Sequence, residues 1–286
     1  MKLLIALLFT CSSFFQSSTD LSGKFTKKDS FEKKMKFSAS EHRTLEVDLV
    51  SGSITVTGTD DETISITANR SIKAKTKESL GDAEKNSSLE IEETNGTLTL
   101  YHEVPYRDED GAEDRTWFRY GYNVRYDVEI KLPRHVKLDL KTIERGKILV
   151  ENIVGDFHIK HVNGDIAIEN ISGSGSVSTI NGDISVAFRE NPKEDCSFKT
   201  INGDITTRFQ DHLSADCSLN TIDGELLTEF DVQQPSKRSN DYEPKLKRVG
   251  SKRVYKSGDA TQIRIGDGGP KFSYSTINGD ISLLKQ

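Results

Sequence analysis

This 286-residue chain contains little of three residue types, namely methionine, tryptophan and alanine. It has two methionines, one tryptophan and little alanine, whereas phenylalanine, isoleucine, leucine, valine and threonine are plentiful. That composition favours strands over helices. Beyond the first residues, no apolar run is long enough to span a bilayer. The sequence therefore predicts an all-β protein without a transmembrane helix.

Several functional signatures are also missing. A net charge of −6 argues against nucleic acid as a principal partner. The sequence contains neither a Gly-x-Ser-x-Gly elbow nor a phosphate-binding loop, and it lacks the Gly-Gly-x-Gly-x-Asp pattern of calcium-binding solenoids. We therefore expect neither a cofactor nor a metal, and we do not expect an enzyme.

Residues 1–18 have the pattern of an export signal. Lys2 precedes a short apolar run, and small polar residues follow it. Cleavage near Ser17 or Ser18 is the expectation, and Cys11 is the candidate for lipidation if the signal is of the lipoprotein type. The sequence thus predicts an exported protein in the periplasm, on the outer membrane surface or outside the cell. An N-terminal lipid anchor would be its only attachment to the membrane.

The second half of the chain repeats a short phrase five times. Asn-Gly-Asp, or Asp-Gly-Glu once, lies between apolar residues, and the successive gaps between the glycines are 18, 21, 21 and 55 residues. A period near 20 predicts a chain that stacks one small unit on the next. The predicted turn residues are Asn163, Gly164, Asp165, Asn181, Gly182, Asp183, Asn202, Gly203, Asp204, Asp223, Gly224, Glu225, Asn278, Gly279 and Asp280.

Two structures agree with Asn-Gly-Asp between apolar stretches. Asn-Gly is a strong hairpin signal, but a meander of hairpins gives no reason for like residues to recur at equal offsets. A parallel β-solenoid does, because equal offsets stack about 4.8 Å apart. We therefore predict a solenoid whose apolar columns at positions −5, −2 and +2, counted from the glycine, point inwards. The segment that ends at Gly146 is interpreted as a degraded first repeat.

The rest of the chain is assigned around these repeats. We predict a single solenoid domain over residues 37–286, preceded by a lysine-rich polar linker at 19–36. The final coil is expected to cap the end of the stack. The predicted parts of the domain are N-terminal strands at 44–132 with a short helix near 72–86, repeat coils at 136–232, a basic insertion at 233–268 and a final coil at 270–284.

Several landmarks together resemble the bacterial putative-adhesin β-solenoid family. They are the exported start, Phe31-Glu-Lys33 leading to Leu45-Glu-Val-Asp48, the Ser51-Gly-Ser-Ile54 corner, the strand ending at Leu132-Pro133, and the serial Asn-Gly-Asp-Ile coils. The resemblance covers about residues 31–286. It implies a right-handed parallel β-solenoid in the bacterial envelope, from a family whose domains are mostly of unknown function, and it supplies no catalytic residues.

Some side chains invite a chemical interpretation. The repeated aspartates would form a column that either binds calcium or, as we expect, is solvated; the asparagines would bond along the stack. His158 and His161 point to opposite faces of a strand, so they cannot chelate one zinc ion. Cys196 and Cys217 share position −7 one period apart, which predicts neighbours that form a disulfide or stack as thiols. The aromatic residues Trp117, Phe118, Tyr120 and Tyr122 either contact a partner or cover an open end of the solenoid.

The sequence thus predicts a non-catalytic envelope or secreted protein that presents a long surface to a glycan or an envelope protein. The alternative is a carbohydrate-active β-helix enzyme that acts on polysaccharide. That enzyme would require a pocket holding two carboxylates about 5–10 Å apart.

Overall fold

In a computed structural model of the chain, the described residues form 25 strands and one helix. The structure describes residues 25–38, 40, 42–108, 111–112, 120–233, 246–249, 252–256 and 261–286. The predicted signal segment with Cys11, as well as Trp117 and Phe118, lies outside the described residues. Within those ranges, no helix is long and apolar enough to cross a membrane.

The secondary structure confirms the expected all-β class. The helix is α1 (Lys77–Asn86), which begins at a capping box formed by Thr76 and Ser79. The strands are β1 (Phe25–Met35), β2 (Thr44–Ser51), β3 (Ile54–Thr59), β4 (Ile64–Ala74), β5 (Ser88–Thr94), β6 (Thr97–Glu103), β7 (Arg107–Asp108), β8 (Gly111–Ala112), β9 (Tyr122–Pro133), β10 (Lys137–Glu144), β11 (Ile148–Glu151), β12 (Phe157–His161), β13 (Ile166–Ile171), β14 (Gly175–Ser178), β15 (Ile184–Phe188), β16 (Cys196–Lys199), β17 (Ile205–Phe209), β18 (Ala215–Asn220), β19 (Glu225–Thr228), β20 (Val232–Gln233), β21 (Leu246–Val249), β22 (Lys252–Lys256), β23 (Thr261–Ile265), β24 (Lys271–Ser275) and β25 (Ile281–Lys285).

Two large, mostly parallel sheets contain nearly all of these strands. The first sheet has the order β1-β4-β9-β3-β11-β13-β15-β17-β25-β19-β22-β21, and the second has the order β20-β23-β18-β24-β16-β14-β12-β10-β2-β6-β5. Consecutive strands of the chain alternate between the two sheets through the middle of the stack. We call two strands at the same level of the two sheets a coil, and we number the coils by their place in the stack. They are coil 1 (β6 and β9), coil 2 (β2 and β3), coil 3 (β10 and β11), coil 4 (β12 and β13), coil 5 (β14 and β15), coil 6 (β16 and β17), coil 7 (β24 and β25) and coil 8 (β18 and β19).

In the first sheet, residues that hold the same position in successive repeats stack on one another. Ile166 pairs with Ile184, Ile184 with Ile205, and Ile205 with Ile281, all in parallel register and all buried. The column predicted at position +2 therefore does face the core. Coil 3 contains Gly146, so the degraded repeat is also a member of the stack.

Both sheets bury their inward side chains in one core. Aromatic rings join the sheets: Phe188 of the first sheet stacks on Phe209 with ring centroids 5.0 Å apart, and Phe209 in turn stacks on Phe272 of the second sheet at 5.5 Å. Burial of such side chains removes large apolar areas from water and is the principal stabilising contribution. The core therefore lies between the sheets and runs the length of the stack.

The predicted linker at 19–36 is wrong for residues 25–35. They form β1, which pairs antiparallel with β4 along its whole length. Phe31 alternates with exposed residues, and the carboxylate of Asp29 binds Arg70 through two hydrogen bonds of 2.6 and 2.8 Å. The many lysines obscured this period-2 pattern, although charged side chains are common on edge strands because they discourage pairing with other chains.

The prediction that the final coil caps the stack is also wrong. Coil 7, which contains residues 271–285, lies between coil 6 and coil 8. The far side of coil 8 is covered instead by two antiparallel strands from the predicted insertion, β23 on β18 and β22 on β19. Coil 8 and the two strands that cover it therefore precede coil 7 in the chain, although coil 7 lies between coils 6 and 8 in the stack.

This order separates the two cysteines that the sequence places together. Cys196 of coil 6 and Cys217 of coil 8 both pair with Phe272, from opposite sides. Two strand spacings of about 4.8 Å exceed the separation of about 7 Å that a disulfide tolerates between Cα atoms. Both thiols are buried and free, and burial raises the pKa of Cys196 to about 11 and of Cys217 to about 12. The predicted disulfide and the predicted thiol stack are therefore both incorrect.

The corner glycines of the stack have no room for a side chain. Gly203 has φ +153°, and a Cβ atom there would lie 2.1 Å from the carbonyl oxygen of Gly182. We predict that Gly203→Ala lowers the free energy of unfolding by more than about 3 kcal/mol, because neighbouring coils would have to separate. Chemical denaturation measures the change.

The matched control is Gly81→Ala in α1, where a Cβ atom meets nothing within 4 Å. This substitution should leave stability unchanged or raise it by up to about 1 kcal/mol. If Gly203→Ala were as stable as Gly81→Ala, the coils could not approach each other as closely at Gly203 as the structure shows.

Candidate binding surface at the Asn-Gly-Asp corner

A row of aliphatic side chains, three of them exposed and three half-buried, runs along the corner where the chain passes from the second sheet to the first. These are the residues at position −2, which the sequence predicts to be buried. Ile180 and Ile277 are each 41% exposed and Ile222 is 72% exposed. We call the row the aliphatic stripe; in spatial order it contains Ile143, Val162, Ile180, Ile201, Ile277 and Ile222. Six rows at about 4.8 Å make it about 24 Å long.

The residue before each stripe member explains why the prediction for position −2 fails. A buried threonine stands there in coils 5 to 8, and its hydroxyl donates to the glycine carbonyl of the neighbouring coil. Thr200 Oγ1 lies 3.0 Å from Gly182 O, and Thr276 Oγ1 lies 3.1 Å from Gly203 O. The hydroxyl satisfies a corner carbonyl that the sheets do not. Turning this side chain inwards sends the next one outwards.

Asparagines form a hydrogen-bonded ladder beside the stripe. Asn181 Nδ2 donates to Asn163 Oδ1 at 2.8 Å, Asn202 Nδ2 to Asn181 Oδ1 at 2.7 Å, and Asn278 Nδ2 to Asn202 Oδ1 at 2.7 Å. The sequence prediction of asparagines bonded along the stack is confirmed. Their amides are committed to one another and keep the corners in register.

The carboxylates at position +1 are likewise used within the stack. Asp183 Oδ1 accepts the backbone N–H of Asp204 at 2.9 Å, and Asp204 Oδ1 accepts that of Asp280 at 2.8 Å. Asp280 Oδ1 accepts the N–H of Glu225 at 2.8 Å. Such charge-assisted bonds offset the repulsion between stacked carboxylates. Over the residues that the structure describes, no three His, Cys, Asp or Glu side chains group to hold a metal ion.

The two histidines of β12 lie on opposite faces, as the sequence predicts. His161 is buried in the position that threonine occupies in later coils, and its Nε2 lies 3.2 Å from Gly146 O. His158 is half-buried on the outer face, with Nδ1 2.5 Å from Ser176 Oγ. Nδ1 of His161 lies 3.1 Å from Thr142 O and 2.9 Å from the backbone nitrogen of Val162. His161 therefore substitutes for the threonine hydroxyl.

The described part of the aromatic segment packs against Tyr106. Tyr122 is 2% exposed, and Tyr120 packs on both Tyr106 and Tyr122 with ring centroids 5.5 and 6.1 Å apart. Tyr120 also donates its hydroxyl to Pro105 O at 3.1 Å. Tyr122 is thus unavailable for partner contact, whereas contact through Tyr120, which is half-buried, stays a prediction.

An open groove on the outer face of the second sheet carries acidic residues at its rim. It is lined by residues of β12, β14, β16 and β24 together with Asp156, Glu194 and Asp195. Asp195 Oδ1 accepts the N–H of Lys271 at 2.7 Å, and Asp156 Oδ1 accepts that of Ser174 at 3.4 Å. These carboxylates therefore hold backbone turns.

With this geometry established, the chain can be compared with known proteins. The model of the family described as Toastrack DUF4097 matches residues 137–261, somewhat less than half of the chain. The match begins in coil 3 and extends through coils 4, 5, 6 and 8. No protein of curated function matches the sequence.

Two solved structures align over most of the chain at low identity. A putative cell adhesion protein from Clostridium sporogenes aligns with 91% of this chain and 100% of its own, at 11% identity and a TM-score of 0.39. A putative adhesin from Bacteroides fragilis aligns with 90% of this chain and 97% of its own, at 10% identity and a TM-score of 0.40.

Removal of divalent ions should leave the corner intact. Because the aspartate oxygens accept backbone N–H groups, we predict that excess chelator changes neither the circular dichroism spectrum nor the melting temperature. A fall in melting temperature that added calcium reverses would show that the aspartate column binds metal.

His161 should make the stack sensitive to acid. Burial lowers the pKa of His161, so between its folded and unfolded pKa values the native state binds fewer protons than the unfolded chain. Stability is then lost as the pH falls below about 6.5, the ordinary value for histidine. We predict that His161→Thr, which restores the residue of the other coils, gains stability relative to the parent protein as the pH is lowered from 7.5 to 5.

Urea denaturation at the two pH values measures this difference. His102, whose pKa burial lowers to about 3, leaves part of the acid sensitivity in both proteins. A difference between variant and parent that is the same at both pH values would contradict the role given to His161.

Proposed function

We propose that this chain is an exported, non-catalytic right-handed β-solenoid that binds an envelope protein along the aliphatic stripe. The observation that carries the proposal is the exposure of ordered isoleucines, including Ile222 at 72%. Contiguous exposed apolar surface in a water-soluble fold is a frequent mark of an interaction site. The location outside the cytoplasm rests on the signal-like sequence of residues 1–18.

Closure into a solenoid is supported by a second stacked corner on the opposite edge. A Cβ atom on Gly173 would lie 2.2 Å from Gly155 O, and one on Gly155 would lie 2.2 Å from Val136 O. These glycines lie halfway between the Asn-Gly-Asp corners in sequence. Each of these coils thus turns twice, once at either edge of the two sheets, which is the arrangement a solenoid requires.

The chemistry of the stripe favours a protein over a glycan. Its apolar atoms belong to β-branched aliphatic side chains, and the polar neighbours are the asparagine ladder and, two residues before the stripe, exposed Lys160 and Lys199. An apolar centre with a polar and charged margin is the usual anatomy of a protein interface. The asparagine amides bond to one another, which fixes their orientation along the ladder.

A triple substitution tests the stripe. Ile180→Ser, Ile277→Ser and Ile222→Ser together should weaken binding to an envelope protein at least about tenfold, because three exposed anchors lose their apolar surface. The matched control is Leu149→Ser, Leu227→Ser and Leu284→Ser, three half-buried aliphatic residues on the outer face of the first sheet.

Binding is measured with residues 19–286 on arrays of purified envelope proteins and of glycans. Binding to a protein that the control retains and the stripe variant loses is the expected result. Binding confined to glycans, or unaffected by the stripe, would refute the proposal. Release of reducing ends from a polysaccharide would support the alternative, a carbohydrate-active β-helix enzyme.

A further inference from the structure

At two positions of the repeat, coils 6 and 8 match each other and differ from coil 7, which lies between them. At position −7, coils 6 and 8 carry Cys196 and Cys217, whereas coil 7 carries Phe272. At position +4 they carry the buried residues Thr207 and Thr228, whereas coil 7 carries Leu283. Solenoids usually stack like residues on like, and here each like pair is interrupted by a larger apolar side chain.

The spacing along the chain is also that of direct neighbours. The glycines of coils 6 and 8 are 21 residues apart, the same interval that separates coils 5 and 6, which are adjacent. Residues 210–214, which join β17 to β18, can span either one or two strand spacings of about 4.8 Å, since extended chain covers about 3.3 Å per residue.

We infer that coils 6 and 8 have a second register, in which they stack directly on each other and coil 7 is released. The two faces that would meet already make equivalent bonds to coil 7. Thr221 Oγ1 would donate to Gly203 O in place of Gly279 O, now 2.9 Å away. The N–H of Glu225 would bond to Asp204 Oδ1 in place of Asp280 Oδ1.

Release of coil 7 would leave neither coil 6 nor coil 8 with an open edge. In an ordinary sheet, removal of an inner strand exposes two rows of unpaired backbone groups. Here the N–H groups of Thr200, Gly203 and Ile205, which donate to Ser275, Asn278 and Asp280 of coil 7, would find the corresponding carbonyls of coil 8. Thr207 and Thr228 would face each other, so that Thr207 exchanges its present partner, the Tyr274 hydroxyl at 3.1 Å, for another hydroxyl.

The register therefore controls which residues form the corner. In the register of the structure, coil 7 contributes Ile277 to the aliphatic stripe and Asn278 to the asparagine ladder. In the second register the stripe is one row shorter, Asn202 faces Asp223, and residues 271–285 are available for other contacts. The balance between registers depends on the burial of Phe272, Tyr274 and Ile281 in coil 7.

Hydrogen exchange at single-amide resolution tests the inference on the full chain. Ile281→Asp places an unpaired carboxylate at a side chain with 0% exposure, which disfavours insertion of coil 7. The matched control is Ser282→Asp, whose side chain is only half-buried. In Ile281→Asp, we expect the amides of residues 271–285 to lose protection. Those of Thr200, Gly203 and Ile205 should stay protected to within about tenfold of the control.

Loss of protection at these three amides along with coil 7 would overturn the second register, as would unfolding of the whole variant. Native-state exchange of the unsubstituted chain in low denaturant is the independent measurement. It should show residues 271–285 opening as a unit at lower free energy than residues 215–228. A common opening of both segments would overturn the inference without any substitution.

Discussion

The close approach of backbones at the corners is the constraint on which the rest of the structure depends. Coils stack about 4.8 Å apart, and at a turn the carbonyl oxygen of one coil points at the next coil. A Cβ atom on Gly182 would lie 2.2 Å from Gly164 O, and the same distance would separate one on Gly164 from Gly146 O. Glycine at one position per coil is therefore a condition of stacking, and its recurrence is what makes the repeat visible in the sequence.

That constraint also decides which side chains turn inwards. A corner carbonyl that no sheet neighbour satisfies must find a donor nearby, because an unpaired polar group in the core is costly. The threonine or histidine at position −3 supplies it. Hydropathy alone assigns the isoleucine at position −2 to the core. The periodicity of apolar residues does not indicate that a buried carbonyl needs a hydroxyl donor at position −3. The columns at −5 and +2 lie within strands, where the hydrogen bonds are backbone to backbone, and there the simple apolar rule succeeds.

The order of the coils shows another limit of sequence reasoning. Coils 6, 7 and 8 have nearly the same pattern at their corners, so each face fits either neighbour and the repeat alone does not select the order. Consecutive placement is the simplest expectation, and the matching Cys196 and Cys217 strengthen it. What selects the observed order is the burial of Phe272 and Tyr274, which stack with Phe209 at 5.5 Å and with Phe198 at 5.0 Å. Those contacts join residues far apart in sequence, and their energy is invisible to a periodicity argument.

The columns of side chains at the corner differ in their hydrogen-bond partners. Threonine hydroxyls bond to carbonyls, asparagine amides bond to each other, and the aspartate carboxylates accept backbone N–H groups. The sequence predicted the hydrogen-bonded asparagine column, but it predicted only solvated aspartates and not their bonds to backbone N–H groups of the next coil. The aliphatic stripe makes no hydrogen bonds through its side chains, three of which are exposed and three half-buried, whereas its backbone bonds from coil to coil. A hydrophilic residue at position −2 would preserve every one of those bonds, so the recurrence of isoleucine there requires a reason outside the coil-to-coil hydrogen bonds; the partner contact that we propose would be such a reason.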